Sequence, residues 1–339
     1  MPQDLDPRLP RRSRAVVLAQ RLAIGLPGLI ILAWLVGRLV SDRYLWSQFL
    51  AWIPTPAALL AGAIVLAAWW RIALSARARR RRCLPAALVL VAMVAYFGLA
   101  EHHMFASALR LGPAPGDTAG HAPAAGALHI THWTMSHHKR PLDEHSRLIA
   151  AHIADLTILT DAYGIPLQNL ASILPADAVI PPRVGCFKII SRLPVIEARS
   201  IIARDGINVA VLRVDATARI GRELTVCLVD LPSDLAIGRA EQARRLRISL
   251  SDAGLQPPDL VVGDFNTPRG SRSLSLMFPG MHHAYDDAGA GYSASFHRAL
   301  PLYHIDHMLL SDEWRASTYR LVDPGLGRHR LQEAAITAR

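Results

Sequence analysis

The chain has 339 residues, of which 51% are hydrophobic, and its mean hydropathy is +0.23. Such a composition is too apolar for an ordinary soluble protein of two domains. The formal net charge of +10 lies entirely in residues 1–100, which hold 13 Lys and Arg against 3 Asp and Glu. A groove that tracks nucleic acid needs many uncompensated cations, and the formally neutral remainder gives no strong case for one.

Three apolar segments follow one another at the front of the chain, over residues 22–40, 49–70 and 83–100. Each approaches the roughly 20 apolar residues that a helix needs to cross a bilayer. Buried core helices are the alternative, but none of the three segments has the polar face of an amphipathic helix. We therefore predict that residues 1–104 are a membrane anchor with three transmembrane helices. Tryptophans lie near its predicted boundaries, as interfacial anchors do: Trp46, Trp52, Trp69 and Trp70.

Arginines indicate the orientation of this anchor. The first segment is preceded by Arg8, Arg11, Arg12 and Arg14, and the second loop holds Arg71, Arg77, Arg79, Arg80, Arg81 and Arg82. Basic flanks stay in the cytoplasm. The sequence thus predicts a multi-pass protein of a bacterial-type inner or plasma membrane, with an extracytoplasmic C-terminal domain. A cleaved signal peptide is the alternative, and two further spans argue against it.

Residues 105–126 are rich in Gly, Pro and Ala, and we predict a flexible linker there. The remaining residues, 127–339, are predicted to form one domain. Its hydrophobic pattern indicates strands over 127–133, 156–159, 208–214 and 223–230, a strand ending at Asp264, and helices over 142–154 and 239–252. Strands interleaved with helices in this mixed order predict an α/β fold with two sheets in a sandwich.

The run 261–268, Val-Val-Gly-Asp-Phe-Asn-Thr-Pro, carries an acid and an amide, two residues apart, from an apolar strand into a turn. Residues two apart leave a strand on the same side, so Asp264 can polarise a water while Asn266 donates an N–H to a phosphoryl oxygen. An Asx turn that merely closes the strand is the alternative.

A second acid lies within an apolar strand at 302–311, Leu-Tyr-His-Ile-Asp-His-Met-Leu-Leu-Ser. An unpaired carboxylate is costly to bury, so Asp306 needs a partner. His307 alternates away from Asp306 on the strand and is expected to face the core or a neighbouring layer.

These two segments, in this order, resemble the endonuclease/exonuclease/phosphatase superfamily, the deoxyribonuclease I-like fold, from about Ala127 onward. Weaker similarities are the segment 191–195, Ser-Arg-Leu-Pro-Val, and Arg239 at a helix start. The resemblance implies that Asp264 orients the attacking water, Asn266 binds phosphate, and Asp306 orients a catalytic histidine, His329.

It also implies a metal-dependent phosphoesterase, with Asp161 binding Mg²⁺ or another hard divalent cation. The substrate would be a phosphate ester: a phospholipid head group, a nucleotide or nucleic acid, or a small phosphodiester.

Four positions depart from the family pattern: Thr134, Asp161, Asp230 and Arg328. They replace an Asn at the end of the first strand, a metal-binding Glu, a His or Tyr, and the acid before the catalytic histidine. We expect these changes to weaken metal binding. The alternative function is a weakened or inactive descendant that binds a phosphorylated ligand or a protein partner at the cell surface, where Arg328 would contact the phosphate.

The remaining cysteines and histidines give weaker signals. Cys186 and Cys227 lie in predicted strands, and buried free thiols are favoured over a disulfide between them, although sequence fixes no strand partners. Histidines cluster in two places, but their spacing matches no structural zinc pattern. We expect surface or supporting roles for them: His132, His137, His138, His304 and His307.

Overall fold

The computed structural model describes residues 14–72, 75–106, 126–136, 142–163 and 171–339. Its first helices are α1 (Arg14–Val40), α2 (Leu45–Ala51), α3 (Thr55–Ile72) and α4 (Ala76–Ala95), which continues as a π-helical end at Tyr96–Glu101. Three segments are long and apolar enough to cross a membrane: Leu18–Val40, Thr55–Ile72 and Ala76–Glu101. Three apolar helices near the N-terminus indicate membrane association.

The second of these helices differs from the predicted segment 49–70. The chain leaves α2 at Ala51 and starts α3 only at Thr55. Pro54 lies between them, and the residue before a proline is disfavoured in helical conformation, so the helix is interrupted there. The predicted linker lies outside the described residues from 107 to 125.

Two mixed sheets form the rest of the molecule. The first sheet consists of β1 (Leu128–Thr134), β2 (Leu156–Thr160), β3 (Lys188–Ser191), β10 (Trp314–Val322) and β11 (Leu331–Ala338). The second sheet consists of β4 (Val195–Arg204), β5 (Ile207–Asp215), β6 (Glu223–Asp230), β7 (Leu260–Asp264), β8 (His282–His283) and β9 (Asp306–Leu310). The strand order is β10-β11-β1-β2-β3 in the first sheet and β4-β5-β6-β7-β9-β8 in the second. Only the pairs β1/β2 and β6/β7 are parallel among the named strands.

The main core lies between the two sheets, where inward side chains of both interdigitate, among them Ile130, Ile158, Leu212, Val262 and Trp314. A second core joins the outer face of the second sheet to helices α7 (Arg239–Asp252) and α8 (Arg272–Met277). A third joins the first sheet to α5 (Leu142–Ala151). The predicted two-sheet α/β sandwich is confirmed. Short helices α6 (Thr217–Ile220) and α9 (Ala284–Ala288) complete it.

Strand register brings three acids to one edge of the second sheet. Asp230 ends β6 beside Asp264 at the end of β7, and Asp264 lies opposite Asp306 at the start of β9. The approach of β6 to β7 is tight at Gly263, where a Cβ atom would lie 1.7 Å from the carbonyl oxygen of Val229. The glycine before Asp264 is therefore required by the spacing of the strands that align the acids.

The apolar helices contact the same edge of the domain. The backbone N–H of Arg239 donates to Gln48 Oε1 at 3.0 Å, and that of Ser273 donates to Asp42 Oδ1 at 3.1 Å. From the domain, Arg269 reaches the carbonyl oxygens of Ala100 and Glu101 at 3.0 and 2.6 Å. The loops after β6 and β7, which begin at the aligned acids, thus rest on the ends of the apolar helices.

Candidate active site

The centre of the site is a buried group formed by Asp264, Asp306 and His329, whose ligand-type atoms all lie within 4.8 Å of one another. The two acids come from neighbouring strands of the second sheet, whereas His329 precedes β11 of the first sheet. The site thus spans the sandwich, because side chains at one end of both sheets converge. Within the described residues it is the only group of three or more potential metal-binding His, Cys, Asp or Glu side chains.

Asp306 holds His329 by a direct hydrogen bond of 2.9 Å between its Oδ2 atom and the Nδ1 atom of the imidazole. The other oxygen of Asp306 accepts a 2.6 Å hydrogen bond from the Thr134 hydroxyl at the end of β1. Trp133 holds the backbone of the histidine, since its indole N–H donates a hydrogen bond to the carbonyl oxygen of His329 at 3.3 Å. The partner that burial of Asp306 requires is therefore present twice, as an imidazole and as a hydroxyl.

Asp306 and His329 form an ion pair. Burial lowers the pKa of His329, but the charges of Asp306 and Asp264 outweigh burial and raise it to about 9. Burial likewise opposes ionisation of Asp306, yet the charge of His329 and its hydrogen bond hold the pKa of Asp306 below its usual range. At neutral pH, His329 is an imidazolium and Asp306 is a carboxylate.

Asp264 lies on the other side of the imidazolium, with Oδ2 3.8 Å from Nε2 of His329. Burial and the nearby charge of Asp306 raise the pKa of Asp264 well above its ordinary value. A carboxylate with a raised pKa is a better proton acceptor than a free one, which suits a group that takes a proton from water.

Asn266 follows this acid in a tight turn. Its backbone N–H donates to Asp264 Oδ1 at 2.9 Å, so the Asx turn considered as an alternative is present. Its side-chain amide donates to the carbonyl oxygen of Leu231 at 2.7 Å. Asn266 therefore connects the loop after β6 to the turn that follows β7.

Asp161 is outside the group of three. It follows β2 with φ of 51° and lies close to Asp230, whose pKa it raises. Burial is the larger cause, and together they raise the pKa of Asp230 to about 6, against hydrogen bonds from Cys186 (3.3 Å) and Asn208 (3.1 Å) that lower it. Asp230 in turn raises the pKa of Asp264. These charge effects link Asp161, Asp230 and Asp264, which we call the acid row.

The fourth departure, Arg328, is an exposed side chain whose guanidinium carbon lies 5.4 Å from the centre of the Phe296 ring. The same ring packs 4.8 Å from the imidazole of His329. Arg328 thus lies against the ring that packs on His329 and lowers the pKa of His329, less strongly than burial does.

Sequence reasoning missed two supporting features. Thr134 was expected only to lose an amide contact, but its hydroxyl binds Asp306; the available signal was a polar residue at the end of a buried strand. Cys186 and Asn208 enclose Asp230, and no local pattern indicates them.

Cys186 and Cys227 are both buried and free, as the sequence favoured, but only Cys227 lies in a strand, because Cys186 belongs to the turn before β3. His307 is buried and its Nε2 contacts the carbonyl oxygen of Thr267 at 2.8 Å, while His137 and His138 lie outside the described residues.

The family model described as "Endonuclease/Exonuclease/phosphatase family" matches residues 139–331, more than half of the chain. Comparison with curated protein sequences gave no match.

Among solved structures, a mannosyl-6-phosphatase from Bacteroides thetaiotaomicron is similar with a TM-score of 0.50 and 13% identity, over 62% of this chain and 99% of that one. A 3′ phosphatase from Neisseria, bound to a product DNA hairpin, has a TM-score of 0.44 and 15% identity over 61% and 98%. At this identity the first of these similarities establishes the fold alone.

Proposed function

Because the chain belongs to the endonuclease/exonuclease/phosphatase family, we propose that it is a membrane-anchored, metal-dependent phosphoesterase. The observation that carries the proposal is the ion pair of Asp306 with His329, 3.8 Å from a second buried acid of raised pKa. A proton acceptor and a cation side by side supply the two groups that ester hydrolysis needs: one for the attacking water and one for the phosphoryl charge.

In this mechanism, Asp264 accepts a proton from the attacking water. The imidazolium of His329 donates a hydrogen bond through Nε2 to a phosphoryl oxygen and stabilises the negative charge that develops there. Asp306 keeps the imidazole oriented and protonated, and Thr134 keeps Asp306 oriented. Asn266 holds the turn that positions Asp264.

The acid row fits a hard divalent cation. Burial is the largest cause of the raised pKa values of Asp230 and Asp264, and the charge of Asp161 adds to the first while that of Asp230 adds to the second, so a cation would offset this repulsion. We propose that Asp161, with Asp230, would hold Mg²⁺. When bound there, the ion would supply Lewis-acid stabilisation of charge on the phosphoryl group.

Metal dependence is tested on the full-length chain in detergent with bis(p-nitrophenyl) phosphate and p-nitrophenyl phosphate. We expect EDTA to abolish hydrolysis and Mg²⁺ to restore it. Asp161→Asn removes one charged ligand and should raise the Mg²⁺ concentration for half-maximal rate at least about tenfold. Asp252→Asn, at the exposed end of α7, is the matched control. Hydrolysis that survives EDTA would contradict the metal assignment.

The second candidate is a descendant that binds a phosphorylated ligand without turnover. It is favoured by Arg328, an exposed guanidinium beside the imidazolium of His329. Two cations can hold a phosphate directly. The same assay separates the candidates, because such a protein would bind inorganic phosphate in a calorimetric titration and release no p-nitrophenol with any divalent cation.

We further propose that residues after Glu101 lie outside a bacterial-type plasma membrane. The basic segment Arg77 to Arg82 and the N-terminal arginines would then be cytoplasmic. A reporter that is active only after export, fused behind Gly126, should be active. Activity instead from a cytoplasm-only reporter at that position would reverse the orientation.

A further inference from the structure

A cavity of about 310 Å³ lies between the ends of the apolar helices and the phosphoesterase domain. The helices contribute Arg38, Trp52 and Glu101 to its wall, and the domain contributes Arg269, Arg272 and His304. It is separate from the group of Asp264, Asp306 and His329, none of which lines it. Its volume is at the lower end of the range of about 300 to 1,000 Å³ that small-molecule sites occupy.

The helix residues in the cavity wall indicate where the cavity would lie relative to the membrane. Arg38 is in the last turn of the first apolar helix, Trp52 lies just before the second, and Glu101 is the last residue of the third. All three helices thus end at the cavity. Hydrocarbon stops where apolar helices stop, so the cavity lies at the level of the lipid head groups.

Three residues of the wall have buried polar atoms that no protein group satisfies. Nε of Arg38, the indole N–H of Trp52 and Nδ1 of His304 are buried without a hydrogen-bond partner in the described part of the chain. His304 is only 7% exposed. Burial, with the nearby charge of His307, lowers its pKa, so it adds a neutral ring nitrogen. Orphaned polar atoms on residues that line one cavity favour a polar occupant over an apolar one.

The charges of the wall favour an anion. Its two acids already have partners, since Glu101 pairs with Arg38 at 3.4 Å and Asp286 pairs with Arg269. Arg272 is exposed and, among the described residues, its guanidinium forms no ion pair. One guanidinium without an acid, together with the unsatisfied N–H groups of Arg38 and Trp52, matches the donors that a phosphate oxygen accepts.

We propose that this cavity binds the phosphate-bearing head group of a membrane phospholipid. The proposal rests on the membrane insertion argued above and does not depend on catalysis. A ligand in the cavity would also affect the active site, because two chain segments contribute residues to both. Pro268 to Arg272 follow Asn266 within the same loop, and Tyr303 and His304 precede Asp306 by three residues or fewer. A bound head group would hold both segments that carry the catalytic acids.

The test uses the full-length Asp264→Asn protein in detergent, so that no bound lipid is hydrolysed at the proposed catalytic centre. After delipidation, the protein is mixed with phosphatidylglycerol, and retained lipid is counted by native mass spectrometry. We expect one phospholipid per chain. The double variant Trp52→Phe with Arg272→Gln should lose affinity at least about tenfold, the equivalent of one charge-assisted hydrogen bond.

Trp52→Phe keeps the ring that packs 4.8 Å from Tyr303 and removes only the N–H. The matched control is Trp46→Phe with Arg315→Gln, which changes an exposed tryptophan and an exposed arginine outside the cavity. Equal retention by both double variants would mean that the retained lipid is bound outside the cavity and would overturn the proposal.

Soluble anions separate a lipid from a free phosphate. Inorganic phosphate and glycerol 3-phosphate should fail to displace the retained phosphatidylglycerol at concentrations far above that of the lipid. Displacement by either at comparable concentration would assign the cavity to a soluble anion and overturn the lipid assignment. Loss of hydrolysis in any variant leaves these binding measurements unaffected, so the two proposals fail independently.

Discussion

Replacing Asp264 by Asn, or His329 by Gln, is expected to lower the turnover of a phosphodiester at least about a hundredfold. The first change removes the acceptor of the proton from water, and the second removes the cation that faces the phosphoryl oxygen. Both substitutions preserve most of the side-chain volume, but His329→Gln also breaks the buried ion pair with Asp306, so the fold is measured together with turnover. Turnover of bis(p-nitrophenyl) phosphate by full-length protein, with circular dichroism to check the fold, measures the effect.

The molecule contains its own control for this prediction. His282 and Asp287 form another histidine–carboxylate pair, at 3.0 Å, and His282 lies on the edge strand β8 away from the catalytic group. His282→Gln should leave turnover within about twofold of the wild type, since substitutions outside the site mainly affect stability. Full activity of Asp264→Asn and His329→Gln would show that the assigned group is not the catalytic site.

Removing the partner of the histidine should shift the pH dependence of the reaction. The pKa of His329 is raised to about 9 chiefly by Asp306, so wild-type turnover should fall as pH rises through about 9. In Asp306→Asn, burial dominates and the pKa of His329 falls below its ordinary value of 6.5. The alkaline limb should then move below neutrality. A pH profile of kcat measures this, and an unmoved limb would contradict the role of His329.

The same pair has a stability consequence whose sign follows from the two shifts. His329 has a raised pKa, so its contribution is full below about 6.5 and is lost as pH rises through about 9. Asp306 has a depressed pKa, so its contribution is present above its ordinary value and is lost as pH falls. The pair stabilises the fold most between these limits, near neutral pH. Breaking a buried pair of this kind costs about 3 to 5 kcal/mol, which urea unfolding of Asp306→Asn would detect.

Much of this architecture could be predicted from the sequence because its signals are local. Long apolar runs predicted the three apolar helices, and short apolar runs that carry an acid predicted β7 and β9 together with Asp264 and Asp306. The acid expected within the second of these strands lies at its start, because β9 begins only at Asp306. His329 lies in a loop of low hydrophobicity and came only from the family resemblance. Its contact with Asp306 depends on the pairing of two sheets, which no local pattern specifies.

The features that sequence missed are contacts between distant segments. Thr134 reaches Asp306 across the sandwich, 172 residues away in the sequence, and Gln48 reaches Arg239 over 191 residues. The break of the second apolar segment was also missed, although Pro54 marks it, because composition alone does not distinguish α2 from the start of a span.

The placement of β1 next to β11 in the first sheet has a consequence for the timing of activity. Gln332 on β11 meets His132 on β1 across 200 residues of chain, and His329 enters the site immediately before β11. Pairing over such a separation is slow and must wait for the later strand to be synthesised. His329 therefore cannot join Asp264 and Asp306 while the domain is still emerging from the ribosome. If the function and the orientation proposed above both hold, hydrolysis begins only after the domain has left the cytoplasm, and phosphate esters inside the cell are spared.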